Sequence, residues 1–263
     1  MATVLITGAR RGIGLDVAQR LLARGHRVFA TVHAEAELAP LRSSLAQFGE
    51  RAQVEKLDIT SAADRGRAAQ WDIDVLINNA AVGESGPLLE IDLARVRQVF
   101  ETNVYATLEL TQVLVRRMIA DGKRDGRGRV IFIGSMAGLI PTPFLAPYAM
   151  TKFALESVAF SLRAELKPFG IAVSMINAGA YATGFNAENV GRKYQWLDDK
   201  SLYRDHLDTI RRAEQDVVMR FEVKDTASIA KCIVHAAESP RPRKRYAAPW
   251  WQWLGVPFAR RFG

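Results

Sequence analysis

Three polar residues, Ser135, Tyr148 and Lys152, have the types and the spacing that proton transfer needs. Tyr148 and Lys152 are four residues apart, so a helix over residues 146–169 places them on one face. A phenol titrates near ~10, and a neighbouring ammonium lowers its pKa, which makes it a usable general acid or base. Ser135 follows a predicted strand and would hydrogen-bond a substrate oxygen at the same point. A Tyr–Lys pair at this spacing is also typical of an ordinary helix surface. Whether the pair is catalytic therefore depends on the motifs in the rest of the sequence.

A glycine-rich segment near residue 10 joins a short apolar run to an amphipathic helix. Residues 3–7 are apolar and β-branched, as in a buried strand, and helical spacing follows the segment Gly8-Ala9-Arg10-Arg11-Gly12-Ile13-Gly14. The N–H groups of such a turn and the dipole of the following helix favour a bound diphosphate. The spacing G-x-x-x-G-x-G differs from the more familiar G-x-G-x-x-G. The alternative is a turn that needs only the backbone freedom of glycine.

Further motifs follow in one order along residues 3–183, and together they resemble the short-chain dehydrogenase/reductase family. The matching residues are Thr7-Gly8, Gly12 and Gly14, then Asp58, Asn78-Asn79-Ala80, Asn103, Ser135, Tyr148, Lys152, Ala178-Gly179 and Thr183. Two positions depart from the family pattern, because Ala81 replaces a glycine and Ala178 replaces a proline. Residues 184–263 match only loosely.

The resemblance implies a catalytic tetrad of Asn103, Ser135, Tyr148 and Lys152. In the family the lysine also hydrogen-bonds the nicotinamide ribose, and the asparagine holds a water that relays protons to the lysine. A buried asparagine in a helix is also commonly structural. The resemblance and the glycine-rich turn together predict that the cofactor contacts Gly8, Arg10, Arg11, Gly12, Ile13, Gly14, His33, Asp58, Ile59, Asn79, Ala80, Ala81, Tyr148, Lys152, Gly179 and Thr183.

The hydrophobic pattern predicts elements that would position these residues. Apolar runs predict strands over residues 3–7, 27–32, 52–57, 73–77, 129–134, 171–176 and 244–248. Helical patterns cover residues 12–24, 34–48, 91–120, 146–169 and 225–238, with a short third helix of about two turns after Asp58. This alternation predicts an α/β fold, a single-domain Rossmann-type doubly wound parallel sheet of about seven strands with helices on both faces. Ligands bind beyond the carboxyl ends of such strands, where the motifs above lie.

The whole chain, residues 1–263, is expected to form one domain. Within it we distinguish a cofactor-binding and catalytic core (1–183), a segment that would cover the substrate (184–224) and a C-terminal tail (241–263). The tail combines cations with tryptophans, so it would either pack on the protein or contact a membrane surface, and packing is the favoured interpretation.

The residues at the end of the second predicted strand indicate which nicotinamide cofactor the protein binds. In related folds a carboxylate there binds the free ribose hydroxyls and repels a 2′-phosphate. That position is Val32, and Glu35 lies three residues later. Family members with a basic residue such as Arg11 before the second glycine tend to use NADP, and His33 lies where they often carry arginine. Arginine suits a phosphate, so NADP(H) is favoured over NAD(H), unless Arg10 and Arg11 are merely solvent-facing charges.

Composition excludes several classes of function. The net charge is +8, but the arginines are dispersed over amphipathic patterns, which argues against a nucleic-acid partner. The four histidines lack metal-ligand spacing, so no metal is expected. Cys232 is the only cysteine, which excludes an intramolecular disulfide and fits a cytoplasmic location. No signal peptide or spanning segment is predicted.

These observations predict an NADP(H)-dependent enzyme that transfers hydride reversibly between nicotinamide and a ketone or secondary alcohol. Residues 136–147 carry no charge and would give the pocket an apolar wall, favouring a lipophilic substrate, although the loop could simply pack on the core. A fatty-acyl carrier substrate is a competing possibility. The alternatives in function are a non-catalytic nucleotide-binding regulator, or an epimerase or dehydratase that retains its cofactor. The apolar faces of helices 91–120 and 146–169 favour self-association, and the family resemblance implies a homodimer or homotetramer.

Overall fold

The structure is a computed structural model that describes residues 1–124 and 126–256, with the backbone alone over residues 214–220. Its centre is a seven-stranded parallel sheet in the order β3-β2-β1-β4-β5-β6-β7, which confirms the predicted fold class. The strands are β1 (Thr3–Ile6), β2 (Arg27–Val32), β3 (Ala52–Lys56), β4 (Val75–Asn78), β5 (Arg129–Ser135), β6 (Ala172–Ala178) and β7 (Arg245–Ala248).

The central strands form because their apolar side chains are buried on both faces of the sheet, whereas the edge strand β3 is largely polar. Val4, Leu5 and Ile6 of β1 are fully buried, and β1 pairs with β2 on one side and with β4 on the other. The strand order therefore reverses between β1 and β4, which opens a crevice beyond their carboxyl ends. The glycine-rich turn follows β1 and Asn79 follows β4, so both lie at this crevice.

Helices cover both faces of the sheet. They are α1 (Gly12–Ala23), α2 (Leu38–Leu45), α3 (Ala62–Ala68), α4 (Leu93–Phe100), α5 (Thr107–Ala120), α6 (Ala146–Glu165), α7 (Phe185–Lys193), α8 (Leu207–Phe221), α9 (Ala227–Glu238) and α10 (Trp250–Trp253). On one face Leu21 and Ile233 pack in a core with β1, and on the other Leu110 and Leu155 pack around Phe132. Among the described residues no helix combines the length and the apolarity needed to cross a bilayer.

Two predicted helices are interrupted. The helix predicted over residues 91–120 consists of α4 and α5, separated by a π-helical turn over Glu101–Ala106. Hydrophobic spacing could not reveal this turn, because its cause is a tertiary contact of Asn103 described below. The helix predicted over residues 34–48 is likewise reduced to α2 between two 3₁₀ segments, Glu35–Glu37 and Ala46–Arg51.

The segment over residues 184–224 contains α7 and α8 and is joined to the core by backbone hydrogen bonds. Val223 N donates to Ala180 O at 2.9 Å, and Ala182 N donates to Val223 O at 2.9 Å. In the tail, Trp250 of α10 and Leu254 just after this helix are exposed, whereas the Trp253 ring lies 5.6 Å from the Arg245 guanidinium. The remaining predicted tail motif, residues 257–262, lies outside the described residues.

Candidate active site

Three glycines make the turn after β1 possible. Gly8 and Gly12 have φ of +67° and +59°, a region that favours glycine. A Cβ on Gly8 would lie 2.9 Å from Ala80 Cα, and a Cβ on Gly14 would lie 2.6 Å from Gly8 O. A Cβ on Gly12 would lie 2.8 Å from Thr183 Cβ. The turn is therefore a cradle of bare backbone, closed by the chain after β4 and by Thr183.

Thr7 and Asn79 connect the turn to the end of β4. The Thr7 hydroxyl is buried and accepts hydrogen bonds from the N–H groups of Asn79 and Ala80, each at 3.0 Å. The Asn79 amide donates to the carbonyl groups of Thr7 and Gly8, each at 2.9 Å. These four bonds fix the turn, so the Asn79 side chain is a structural support of the cradle.

Ser135, Tyr148 and Lys152 lie together beyond β5. Ser135 is its last residue, and α6 carries Tyr148 and Lys152 on one face in its first two turns. The Ser135 hydroxyl lies close enough to the Tyr148 phenol to act on its pKa, and Lys152 Nζ lies 5.5 Å from the Tyr148 ring centroid. Lys152 Nζ also donates to Ile133 O at 2.8 Å. The phenol and the ammonium are both buried, which excludes the ordinary-surface interpretation of the pair.

Burial dominates the ionisation of this pair. It raises the pKa of the Tyr148 phenol well above its usual value, although the hydrogen bond from Ser135 acts in the opposite direction. The expectation that Lys152 lowers the pKa of Tyr148 is therefore wrong for this state of the site. Burial also lowers the pKa of Lys152 to about 8. Near neutral pH the site holds a protonated phenol beside a largely protonated amine.

Asn103 is buried in the π-helical turn, and its side chain is fully engaged. Its Oδ1 accepts from Val82 N at 2.9 Å, while its Nδ2 donates to Val82 O at 2.9 Å and to Thr151 Oγ1 at 3.1 Å. These bonds hold the chain after β4 against α6 and account for the extra residue of the π turn. The Asn103 side chain therefore reaches the residue next to Lys152, not Lys152 itself.

The side chains that are predicted to bind a phosphate, Arg10, Arg11 and His33, separate into two places. Arg11 forms an ion pair with Glu188 of α7, so it joins the turn to the 184–224 segment. Arg10 and His33 instead meet at Glu37, whose two oxygens lie 3.0 Å from Arg10 Nη1 and 2.9 Å from His33 Nδ1. The sequence revealed no carboxylate at Val32, yet the 3₁₀ turn after β2 brings Glu37 to this end of the crevice.

The other predicted contact residues surround the same crevice. Asp58 follows β3, and its Oδ1 accepts from the N–H and the hydroxyl of Thr60 at 2.9 and 2.7 Å. Ile59 is buried and Ile13 packs on the core, so these two could offer a ligand little beyond their backbone. Ala80 lies against Gly8, and Ala81 follows it, partly exposed.

Gln252, which the sequence did not indicate as a site residue, packs on the backbone at Gly179. A Cβ there would lie within 1.8 Å of Gln252 Oε1, so Gln252 of α10 packs directly on this backbone. Gln252 Oε1 accepts from Ala180 N at 3.0 Å, and its Nε2 donates to Phe221 O at 2.6 Å. Gln252 thus ties the tail to the loop after β6 and to the end of α8. Only the apolar residues around it hinted that this part of the tail packs on the protein.

Two aromatic contacts join the 184–224 segment to Tyr148 and to the loop that precedes it. Phe185 of α7 lies 5.5 Å from the Tyr148 ring, and Phe144, which has φ of +59°, makes an edge contact with Tyr203 at 5.3 Å. The loop 136–147 therefore meets the 184–224 segment through aromatic contacts. An apolar wall next to a proton donor suits a substrate with a carbonyl group on a hydrocarbon frame.

The chemistry of the crevice fits a dinucleotide. The turn presents bare backbone at its three glycines and α1 begins at Gly12, so its N–H groups and the helix dipole suit a diphosphate. In the described part of the chain no group of three or more histidine, cysteine or acidic side chains is placed to hold a metal ion.

Comparison with known proteins gives the family. A family model described as short chain dehydrogenase matches residues 2–193. Human 17-beta-hydroxysteroid dehydrogenase type 1 is 32% identical over 253 residues, which cover 92% of this chain and 76% of the relative. The NADPH-dependent 3-dehydrocapnine reductase of Ornithobacterium rhinotracheale is 30% identical over 211 residues, or 77% of this chain and 74% of the relative.

A solved structure shows the same fold. A short chain dehydrogenase/reductase from Burkholderia phymatum, in complex with NAD, superimposes with a TM-score of 0.81 at 21% identity, covering 97% of this chain and 92% of the other. The resemblance seen in the motifs is thereby confirmed. The chain belongs to the short-chain dehydrogenase/reductase family and is an NAD(P)-dependent oxidoreductase.

Proposed function

We propose that the protein transfers hydride reversibly between NADP(H) and the carbonyl or secondary alcohol carbon of a lipophilic small molecule. The observation that carries this proposal is the buried cluster of Ser135, Tyr148 and Lys152 beside the glycine cradle. A proton donor next to a dinucleotide-shaped crevice is the arrangement that carbonyl reduction requires.

Each side chain has a defined task. The nicotinamide, when bound, supplies or accepts the hydride. Tyr148 donates its phenolic proton to the substrate oxygen as negative charge develops there, and accepts it back in the oxidation direction. Ser135 donates a hydrogen bond to the same oxygen and stabilises that charge. Lys152 places its Nζ 5.5 Å from the Tyr148 ring, so it stabilises the phenolate charge once the proton has left, although burial keeps the pKa of the resting phenol above its ordinary value.

The crevice residues are assigned by chemistry. The backbone N–H groups of the glycine-rich turn bind the diphosphate, and Thr183 with the backbone after Gly179 binds the carboxamide. The Arg10 guanidinium lies at the adenosine end with the His33 imidazole beside it, which supports a preference for NADP(H). One relative is named as NADPH-dependent, whereas the Burkholderia protein was solved with NAD. The preference for NADP(H) therefore rests on the side chains at the adenosine end of this chain.

The substrate class follows from the aromatic wall. Phe185 borders the phenol, and Phe144 with Tyr203 continues the apolar surface into the 184–224 segment, which we take to be a lid over the substrate. A steroid-like or other alicyclic ketone has the matching shape and polarity, and the human relative is named for a hydroxysteroid.

The test is a panel of lipophilic and polar ketones with NADPH or NADH, followed at the nicotinamide absorbance. We expect turnover of the lipophilic members, and loss of at least about 10²-fold in kcat for Tyr148→Phe with cofactor binding retained. The exposed Tyr105→Phe is the matched control and should be fully active. A fully active Tyr148→Phe variant would refute the acid–base role, and a cofactor that is bound but never consumed would instead favour an epimerase or dehydratase.

Self-association is part of the proposal. Leu93, Tyr105, Met150 and Phe153 are exposed apolar side chains on or between α4, α5 and α6. Their burial between copies of the chain would give the expected homodimer or homotetramer. Light scattering at several concentrations measures the mass, and a Phe153→Asp variant should shift it toward the monomer.

A further inference from the structure

A third polar residue continues the line of Tyr148 and Lys152 along α6. Glu156 lies one helical turn beyond Lys152, so the three side chains share one face of the helix, and all three are buried. A buried carboxylate is costly unless it is paired. Its partner is Arg245 of β7, whose Nη1 and Nη2 donate to the two carboxylate oxygens at 3.1 and 2.6 Å. This two-pronged pair joins β7 to α6 in one geometry.

Asn177 of β6 connects this ion pair to Ser135. Asn177 is fully buried, its Oδ1 accepts from Arg245 Nη1 at 2.6 Å, and its Nδ2 donates to a Glu156 oxygen. The same Nδ2 donates to the carbonyl oxygen of Ser135 at 3.3 Å. Both polar atoms of the amide are therefore engaged, and the amide links the Glu156–Arg245 pair to the last residue of β5.

Two aromatic rings restrain the arginine of this network. The Arg245 guanidinium carbon lies 4.8 Å from the Phe160 ring centroid and 5.6 Å from the Trp253 ring centroid, and 23% of its side chain is exposed. Contacts of a guanidinium with aromatic rings are attractive and limit its freedom. Because Trp253 belongs to α10, the C-terminal tail also helps to hold the network in place.

Ser135 lies where the chain leaves the sheet. The 3₁₀ segment Met136–Gly138 follows it, and the Ser135 hydroxyl accepts from Ala137 N at 3.1 Å. Its carbonyl is held on the β6 side by Asn177. The carbonyl and the side chain of one residue move together, so loss of the Asn177 bond would displace the hydroxyl relative to Tyr148. Misplacement of a reacting group by a fraction of an ångström is enough to slow catalysis.

We propose that Asn177 is a positioning residue for Ser135, and that Glu156 and Arg245 hold its amide in the required orientation. Asn177 acts through Ser135, keeping the serine hydroxyl within hydrogen-bond distance of the substrate oxygen. The inference rests on the proposed function, since it requires Ser135 to stabilise charge on that oxygen. It adds three residues that neither the motifs nor the resemblance indicated as part of the site.

The experiment is a double-mutant cycle in the full-length protein, with kcat measured at saturating cofactor and ketone. For Asn177→Ala we expect kcat to fall roughly tenfold, with an unchanged KM for cofactor. In a Ser135→Ala background the same substitution should leave kcat unchanged, because the hydroxyl that Asn177 positions is already missing. Loss of one donor to a developing oxyanion costs about 10²–10³-fold, so the Ser135→Ala rate stays measurable at high enzyme concentration.

Ser174→Ala is the matched control. Ser174 is also buried on β6, and its hydroxyl donates to Arg243 O at 2.7 Å, a bond that does not involve Ser135. Its removal should lower the melting temperature but leave kcat at the wild-type value. Arg245→Lys is a milder second variant, because it keeps the charge and loses the fork that binds Glu156 and Asn177. We expect it to lower kcat about threefold, and only when Ser135 is present.

Each result has a distinct meaning. If Asn177→Ala keeps the wild-type kcat, or lowers kcat by the same factor with and without the Ser135 hydroxyl, the assignment of Asn177 is wrong while the oxidoreductase function stands. If Asn177→Ala does not fold, the same comparison made with Arg245→Lys decides. If Ser135→Ala itself turns over as fast as the wild type, the proposed role of Ser135 fails and the inference fails with it.

Discussion

Replacing Thr7 by valine tests whether the threonine hydroxyl holds the cofactor cradle in shape. Valine has nearly the same volume, so the buried site stays filled, but the N–H groups of Asn79 and Ala80 lose their shared acceptor at 3.0 Å. Each neutral hydrogen bond contributes about 1 kcal/mol, so two should cost about 2 kcal/mol. Both donors belong to partly exposed residues, which keeps the cost at this lower end.

Urea denaturation measures the loss in free energy of unfolding directly, and the melting temperature should fall by about 4–8 °C. The control is Thr7→Ser, which keeps the hydroxyl and removes only a methyl group. We expect it to retain more of the stability and to bind cofactor more tightly than Thr7→Val, since Gly8 follows Thr7 directly. A Thr7→Val protein as stable as the wild type, with the same KM for cofactor, would show that the hydroxyl does not hold the turn.

Three further predictions concern residues around the crevice. Gln252→Ala removes the acceptor of the Ala180 N–H, so the KM for cofactor should rise roughly fivefold with a smaller change in kcat, and an unchanged KM would contradict the link. Burial lowers the pKa of Lys152 to about 8 in the folded protein, so above that pH the unfolded chain binds more protons than the folded protein does. The free energy of unfolding should therefore rise between pH ~8 and ~10.5 by up to about 1.4 kcal/mol per pH unit, and Lys152→Met should lack this component when both proteins are titrated with urea. Glu156→Gln removes the carboxylate that pairs with Arg245 at 2.6 Å, while Arg245 keeps its bond to Asn177 Oδ1. The substitution should cost roughly 2 kcal/mol, a loss that Glu156→Gln with Arg245→Gln should partly restore in the same denaturation assay.

Local patterns were sufficient for much of the fold and of the site. The seven strands, the turn after β1 and the shared face of Tyr148 and Lys152 all depend on spacing within one segment, which the sequence displays directly. The break in the helix over residues 91–120 was missed, because its cause is the bonding of Asn103 to Val82, twenty-one residues away.

Contacts between distant segments explain the other omissions. Glu37 was not recognised as part of the crevice, because only the tertiary fold brings Arg10 to the turn after β2. Gln252 lies more than seventy residues from Ala180, and an isolated glutamine in a tail carries no pattern. The pKa of Tyr148 was assigned the wrong direction because the sequence shows the neighbouring charge but not the depth of burial.

Gly12 and Thr183 occupy what is effectively one shared volume, since a Cβ on the first would lie 2.8 Å from the Cβ of the second. A side chain at Gly12 would therefore need a smaller residue at position 183, and it would also have to adopt the φ of +59° that favours glycine. Random mutagenesis with selection for activity should accordingly recover smaller residues at position 183 while Gly12 stays unchanged.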